Sequence, residues 1–361
     1  MESEKKTEPC LKEAFDPNAA AAPGSGIFGL PFSEEESALV LLPVPWEATA
    51  SYGRGTALGP AAMFAASCQL DLFDVEIDRP YAAGICMAQE PAEVVEWNGQ
   101  ACAMARSLIE RGGAGNDPER QTFLREVTRL SERLNTYVRD AARHRLASGK
   151  IVGIIGGDHS VSLGAVMAIA ERHTSFGILH FDAHADARAA YQGFLYSHAS
   201  IMRNILERVP EVTHLTQVGI RELCEEELDY LTQQGKRIDI FFNANLRRRQ
   251  FAGTTWNALV EEIVASLPSD VWISFDIDGL DPWLCPHTGT PVPGGLEFDE
   301  ADHVLRTLAL SGRRILGFDL TEVAPAPSGV DEWDANVGMR LLYRLCVWTL
   351  LSQGKVQRRV P

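Results

Sequence analysis

Residues His180–Arg188 read HFDAHADAR and come directly after the apolar run Phe176–Leu179. Asp182, His184 and Asp186 occupy every second position of this stretch. In an extended chain alternate side chains point to the same face, so the two carboxylates and the imidazole are expected to converge on one point. Such a cluster is costly to desolvate unless a positive charge lies among the oxygen atoms, and a divalent metal ion suits that position. The stretch therefore predicts a buried strand that ends at a metal site.

Two further stretches place acidic residues or a histidine at the end of an apolar run. Gly156–Ser160, which reads GGDHS, follows Ile151–Ile155, and the pair Asp276 and Asp278 follows Val271–Phe275. Open α/β sheets place their sites where buried strands run out into loops, so the three stretches are expected to meet. Together they supply six candidate ligands, which are His159, Asp182, His184, Asp186, Asp276 and Asp278.

This ligand set contains four carboxylates and two imidazoles, which is too many for one four-coordinate zinc ion. It suits two harder divalent ions that share bridging carboxylates and lie about 3.5–4 Å apart. For Asp276 and Asp278 taken alone, a turn before Gly279 would be the simpler interpretation. In the context of the other two stretches, a binuclear metal centre is the favoured hypothesis.

The rest of the chain alternates strands and helices. Strands are expected at Ala38–Val44, Ala82–Met87, Ile151–Ile155, Phe176–Phe181, Leu215–Val218, Ile238–Phe241, Val271–Phe275 and Arg314–Phe318. Helices are expected at Pro60–Gln69, Ser160–Arg172, Glu225–Gln234, Thr255–Leu267, Glu300–Ser311 and Trp333–Leu351. A long helical region is expected over Pro91–Lys150, with a break between two helices at Gly112–Asn116 and a polar amphipathic helix at Asp117–Ala147. This alternation predicts an α/β fold with a mainly parallel sheet and helices on both faces. Residues 1–26 are charged and then rich in Ala, Pro and Gly, and they are expected to form a mobile tail before a single domain over residues 27–361.

Composition limits the classes of partner. The chain carries a formal net charge of −16, and nucleic-acid binding needs a basic footprint, so no nucleic-acid partner is expected. A small cationic substrate is compatible with this charge. The seven cysteines are scattered and form no CxxC pair, and no export signal or membrane-spanning stretch is evident. Reduced thiols in a cytoplasmic protein are therefore expected.

The three stretches together resemble the ureohydrolase family, which includes arginase, agmatinase, guanidinobutyrase and formimidoylglutamase. GGDHS, FDAHAD and SFDIDGLDP occur in the family's order, followed by TPVPGG at Thr290–Gly295 and DLTEV at Asp319–Val323. Ser51–Pro60 resembles the family's N-terminal Gly-rich loop, and the resemblance extends from about Ala38 to Leu351. It implies a three-layer αβα sandwich that assembles as a homotrimer or hexamer.

The resemblance also implies how the site is built. One metal ion would be bound by His159, Asp182, Asp186 and Asp276, and the other by His184, Asp182, Asp276 and Asp278, with Asp182 and Asp276 as bridges. The ions would be two Mn²⁺, as is usual in this family, although members with Ni²⁺ are known. Glu322 matches the glutamate that holds the substrate guanidinium, and His198 resembles the histidine that carries protons at the pocket mouth. Asp186 is the candidate to pass a proton to the leaving amine.

One position separates this chain from the arginases. Arginases carry an asparagine two residues after the aspartate that matches Asp186, whereas this chain has Arg188. Arg188 together with Tyr196–Ser200 resembles the bacterial and archaeal agmatinases, so the expected reaction is hydrolysis of agmatine to putrescine and urea. Ala199 and His287 stand where many relatives have glycine, and both are expected to reshape the pocket.

Other hypotheses remain open. Within the family they are guanidinobutyrase, guanidine hydrolase, arginase and formimidoylglutamase. A non-catalytic, metal-bound regulatory subunit belongs to another class, but relatives that have lost catalysis usually lose ligands, and all six are present here. A single-zinc deacetylase of related fold is a third hypothesis, and the binuclear ligand set argues against it.

Overall fold

An eight-stranded parallel sheet forms the centre of the structure, a computed structural model that describes residues 15–22, 24–327 and 331–359. The strands of these residues are β1 (Leu39–Val44), β2 (Ile77–Asp78), β3 (Ile85–Met87), β4 (Ile151–Gly156), β5 (Phe176–Phe181), β6 (Val212–Val218), β7 (Ile238–Phe241), β8 (Asp270–Asp276), β9 (Arg314–Thr321) and β10 (Gln357–Arg358). The order across the main sheet is β3-β1-β4-β9-β8-β5-β6-β7, and every pairing in it is parallel. β2 and β10 form a separate antiparallel pair.

Helices cover both faces of this sheet. Those of the described residues are α1 (Gly59–Ala66), α2 (Ala92–Ile109), α3 (Pro118–Ala147), α4 (Ser162–Ala170), α5 (Ile201–Arg208), α6 (Glu225–Gln233), α7 (Asn243–Phe251), α8 (Trp256–Ser266), α9 (Phe298–Leu310) and α10 (Trp333–Ser352). Because alternate strand residues point to opposite faces, Leu39 and Leu41 belong to the core that contains side chains of α1, α8, α9 and α10. Val40 and Leu42 belong to the second core, with side chains of α2 to α6. The fold is the three-layer αβα sandwich that the sequence predicts.

Most elements lie where the sequence predicts them, and the differences are local. The strand pair β2 and β10 occupies stretches for which no element is predicted. Only the second half of the predicted strand Ala82–Met87 is extended, because Pro80–Ala83 form a 3-10 helix. The short helices α5 and α7 occupy stretches for which no element is predicted. The amphipathic helix is confirmed as α3, and Asp117 caps it by accepting two backbone N–H groups of its first turn.

The structure covers the predicted tail only in part. Residues 1–14 and 23 lie outside the described residues. The described chain begins at Phe15, whose ring contacts those of Phe32 and Tyr81 at centroid distances of 6.5 and 6.1 Å. The mobility of residues 1–26 stays a prediction.

The carboxyl ends of four neighbouring strands carry the predicted site residues. His159 follows β4, Glu322 follows β9, Asp276 ends β8 and Asp182 follows β5. These strands are adjacent in the order β4-β9-β8-β5, and they run in the same direction. Their last residues therefore meet at one edge of the sheet, where α/β proteins place their sites.

Candidate metal centre and pocket

Three buried carboxylates surround the Nδ1 atom of His159. The Oδ2 atoms of Asp182 and Asp186 both lie 3.2 Å from it, and the Oδ2 atom of Asp276 lies 3.4 Å away. Neighbouring ligands of an octahedral ion with bonds of about 2.1 Å are about 3 Å apart, so this spacing fits atoms that share one divalent ion. These groups form the first predicted ligand set.

A second group lies beside the first. His184 Nδ1 is 3.0 Å from Asp278 Oδ2 and 3.4 Å from Asp182 Oδ1. Asp182 thus faces the first group with Oδ2 and the second with Oδ1, as a bridging carboxylate would. Asp276 directs its Oδ2 to the first group, whereas its Oδ1 accepts the backbone N–H of Asp278 at 2.8 Å. The bridging role implied for Asp276 stays a prediction.

The three side chains of His180–Arg188 do not converge on one point, and the assumption of an extended chain was wrong. β5 ends at Phe181, and Asp186 has a φ of +54°, in the left-handed region. His184 therefore faces the second group while Asp186 turns back to the first. The backbone N–H of Met202 donates to the carbonyl oxygen of Asp186 at 3.0 Å and helps to hold this conformation.

The electrostatics of the cluster favour a bound cation. Burial raises the pKa of Asp186 to about 7, and the charge of Asp182 adds to the effect. Burial and the charges of Asp278 and Asp182 raise the pKa of Asp276 well above its usual value. Burial alone would lower the pKa of His184, but Asp278 and Asp182 raise it to about 12. A divalent cation would stabilise the ionised form of these buried carboxylates, and carboxylate and imidazole donors fit hard divalent ions. The residues present can therefore hold the metal that the sequence implies.

A pocket of about 470 Å³ opens beside the centre, which is a volume typical of small-molecule sites. Its walls are formed by Ser51, Tyr52, His184, Asp186, Arg188, Tyr191, His198, Ala199, Glu222, Leu223, Glu227, Thr290, Pro291 and Val292. A smaller cavity is lined by both His198 and Glu322, and Tyr52 lines both spaces. The structure thus brings all eight predicted site residues to one region.

Glu322 is held rigidly at the base of this region. It has a φ of +62°, its backbone N–H donates to the Gly157 carbonyl at 2.8 Å, and its Oε1 accepts the backbone N–H of His159 at 3.0 Å. Burial raises the pKa of Glu322 well above its usual value, and the charge of Asp158 adds to this. A cationic ligand would restore the ionised form.

His198 begins a 3-10 helix after Ser197, whose hydroxyl caps it. Burial lowers the pKa of His198 to about 4, and the charges of His184 and His159 act in the same direction. The imidazole is therefore neutral at pH 7.

Comparison with known proteins gives the family. A model described as the arginase family matches residues 37–347. The chain belongs to the arginase family. It is 30% identical over 327 residues to the N(1)-aminopropylagmatine ureohydrolase of Synechocystis sp., a match that covers 90% of this chain and 92% of that protein. It is also 38% identical over 182 residues to the agmatinase of Proteus mirabilis, covering 50% of this chain and 54% of that protein.

Solved structures agree on the fold. The crystal structure of the agmatine ureohydrolase of Thermoplasma volcanium aligns with a TM-score of 0.68 at 20% identity, covering 95% of this chain and 98% of that one. As a member of the arginase family, the chain is a ureohydrolase, that is, a hydrolase of guanidino C–N bonds. Among its described residues, no helix has the length and apolar character needed to cross a membrane.

Two hydrogen-bonded networks orient the ligands of this arginase-family enzyme, and sequence reasoning missed both. Behind His159, Nε2 lies 2.8 Å from Ser274 Oγ, which donates to Asp319 Oδ1 at 2.8 Å. Asp319 Oδ2 accepts from Trp272 Nε1 at 2.6 Å. Trp272 and Ser274 alternate with Asp276 along β8 and share its face, so a period of two was the signal that could have found them.

The second network lies behind Asp182. The amide nitrogen Nε2 of Gln217 donates to the Ala185 carbonyl at 2.9 Å and lies 3.0 Å from His180 Nδ1. Because an amide nitrogen donates, Nδ1 must accept, and the proton of a neutral His180 is assigned to Nε2. That nitrogen is 2.8 Å from Asp182 Oδ2. His180 therefore donates to Asp182, the candidate bridging carboxylate, and orients it.

At three positions, Arg188, Ala199 and His287, the sequence departs from that of many relatives, and the surroundings of these residues differ. Arg188 and Ala199 line the pocket, and Arg188 Nε lies 3.5 Å from Glu227 Oε2. His287 pairs instead with the buried Asp334, at 2.7 Å from Nδ1 to Oδ2. It is not among the residues that line the pocket, so the expectation that it reshapes the pocket stays a prediction.

Proposed function

We propose that the enzyme binds two Mn²⁺ ions and hydrolyses a guanidino compound with a cationic aminoalkyl tail, foremost agmatine, to urea and an amine. The observation that carries this proposal is the pair of ligand groups that share Asp182, next to a pocket with acidic walls. When bound, the two ions would lower the pKa of a water molecule to about 7 and so supply the nucleophile at neutral pH.

We assign the six ligands as the sequence predicts: His159, Asp182, His184, Asp186, Asp276 and Asp278. Glu322 would orient the guanidinium by charge-assisted hydrogen bonds, and its raised pKa in the absence of a cation supports this role. Asp186, which also lines the pocket, would carry a proton from the nucleophile to the leaving amine. His198, neutral and on the pocket wall, would take up the proton lost by the water molecule that restores the nucleophile. It would then pass this proton to solvent.

The charged side chains of the pocket walls favour a substrate with a cationic tail. Glu222 and Glu227 contribute two carboxylates, and Arg188 contributes one guanidinium that already lies beside Glu227. An acidic tail, as in guanidinobutyrate, would meet an excess of negative charge. The complete donor set likewise counts against a non-catalytic regulatory subunit.

A second candidate substrate is N(1)-aminopropylagmatine. The relative that covers 90% of this chain is named for that substrate, whereas the match to an agmatinase covers 50%. Its longer tail carries a further cationic nitrogen, which the acidic walls would also accept. The cytoplasmic location and the trimeric or hexameric assembly are further parts of this proposal, and the free thiols of the six described cysteines support the first.

The test is urea release by the full chain loaded with Mn²⁺. Agmatine, N(1)-aminopropylagmatine, arginine and guanidinobutyrate are compared in parallel, with the Ni²⁺-loaded protein as a second metal. Turnover of agmatine or its aminopropyl derivative, without turnover of arginine, is the expected result. Release of urea only from arginine or guanidinobutyrate would overturn the assignment of the tail, and no release from any of them with two ions bound would overturn the proposed activity.

A further inference from the structure

A tight turn forms part of the pocket wall. The backbone N–H groups of Tyr191 and Phe194 each donate to the other's carbonyl, at 3.1 and 2.8 Å. The two residues between them, Gln192 and Gly193, have φ values of +52° and +92°. Positive φ at both central positions is the signature of a type I′ turn. The turn therefore has a fixed shape and presents Tyr191 and Phe194 as a pair.

One side of the turn faces the pocket. Tyr191 lines it, the guanidinium of Arg188 lies 5.0 Å from the centre of its ring, and the ring of His198 meets it edge-on at 6.1 Å. Tyr191 therefore contacts both a residue of the pocket wall and the candidate proton carrier. An aromatic face at this place can also bind the alkyl and ammonium groups of a tail.

The other side of the turn is anchored in the pair of helices α2 and α3. Phe194 is 2% exposed and belongs to a small apolar cluster with Leu108 of α2 and Val127 of α3. The turn and the helices are in close contact, since a Cβ added to Gly193 would lie 3.3 Å from a methyl carbon of Leu124. This cluster is separate from the two large cores. Its side chains come mainly from the turn and from the two helices, so the cluster joins the turn to the helix pair.

We propose that the α2–α3 pair is a brace for substrate binding, and that Phe194 is the positioning residue through which it holds Tyr191 at the pocket mouth. The inference rests on the proposed function for the statement that a substrate tail binds there. It gives the long polar helix α3 a role that its solvent-facing sequence does not reveal. The candidate ligands Asp182, His184 and Asp186 precede the turn in the same loop, but the backbone N–H of Met202 holds Asp186 independently of the turn. The brace is therefore expected to act on tail binding rather than on the metal ligands.

The test compares Phe194→Ala, Phe194→Leu and Tyr191→Ala with a control, Leu134→Ala, in the full Mn²⁺-loaded chain. Leu134 is 1% exposed on the same helix α3 but belongs to the large core, so its truncation also leaves a cavity. Phe194→Ala and Tyr191→Ala are expected to raise KM for the tailed substrate about tenfold, and Phe194→Ala is expected to keep kcat within about twofold of wild type. Phe194→Leu is expected to restore most of the affinity. The control is expected to lose thermal stability without a change in KM.

Hydrogen–deuterium exchange over residues 188–198 gives a readout that does not need turnover. Faster exchange there in Phe194→Ala, and not in Leu134→Ala, is expected. Unchanged exchange in Phe194→Ala, or an equal rise in KM for the control, would overturn the proposal that the helix pair braces the turn. If wild type releases no urea from any substrate, the proposed function fails, and the exchange experiment still decides whether Phe194 holds the turn.

Discussion

Replacing Ser274 with alanine is expected to weaken binding of the metal ion at His159 by about 10- to 100-fold while the fold is kept. Once Nδ1 of His159 binds a metal ion, the ring proton must lie on Nε2, and the Ser274 hydroxyl 2.8 Å away accepts it. The same hydroxyl donates to Asp319 at 2.8 Å. Its loss therefore breaks two buried hydrogen bonds at once.

The size of the effect follows from the hydrogen bonds that Asp319 and His159 keep in the variant. Asp319 keeps its bond from Trp272, and His159 Nε2 is 3.6 Å from Asp319 Oδ1, too far for a good hydrogen bond without a shift of the ring. A partner that fixes the orientation of a ligand histidine and raises its basicity typically contributes about 10- to 100-fold to metal affinity. We therefore expect a loss of about 1.4–2.8 kcal/mol of metal-binding free energy, which is the stated 10- to 100-fold.

The assay is a titration of the metal-free protein with Mn²⁺ by calorimetry, which does not depend on activity. Thr216→Val is the matched control, because it removes a fully buried hydroxyl from β6, two strands away from β8 in the same sheet, where the partner is Ser266 at 2.8 Å. The control should lose stability and keep its metal affinity. Wild-type affinity in Ser274→Ala, or an equal loss in the control, would refute the role of the network.

Three further outcomes are expected. The pKa of His184 is near 12 without metal, and the pKa values of His159, Asp186 and Asp276 are also raised, so metal binding should release protons and weaken as pH falls; calorimetry in buffers of different ionisation enthalpy measures this release, and no buffer dependence would contradict it. Glu322→Gln should lower kcat/KM about 10- to 100-fold through loss of a charge-assisted contact, with unchanged metal content by elemental analysis. Gly157→Ala should lower the unfolding free energy by about 1–3 kcal/mol, since its Cβ would lie 1.9 Å from the Trp46 carbonyl oxygen. Gly99→Ala, with open space around the new Cβ, should be neutral or stabilising in the same thermal melts.

Local patterns made much of the fold and of the ligand set predictable. Each ligand stretch follows a run of apolar residues, and such runs indicate strands buried on both faces of a parallel sheet. The division of the six ligands into two groups that share Asp182 was not available from spacing alone. It depends on the strand order β4-β9-β8-β5, which brings β4 and β5 to either side of β8 and β9.

Residues that act through tertiary contacts were the ones that sequence reasoning missed. Ser274 and Gln217 look like ordinary polar residues in strands, and only their partners, His159 and His180, give them a role. Phe194 looks like a surface aromatic in a loop between Tyr191 and Tyr196. Its burial depends on α2 and α3, which lie far away in sequence, so no local window could reveal it.

Backbone conformation explains how the side chains of two different strand ends reach a common centre. Asp186 and Glu322 both have positive φ, a conformation that costs about 1–3 kcal/mol for a residue other than glycine. Each is held by a hydrogen bond from elsewhere in the fold, from the Met202 N–H to the Asp186 carbonyl and from the Glu322 N–H to the Gly157 carbonyl. An extended backbone at either position would direct the carboxylate elsewhere. The left-handed conformations therefore place one carboxylate in the metal group and the other against His159, so the strain is a condition of the site's geometry.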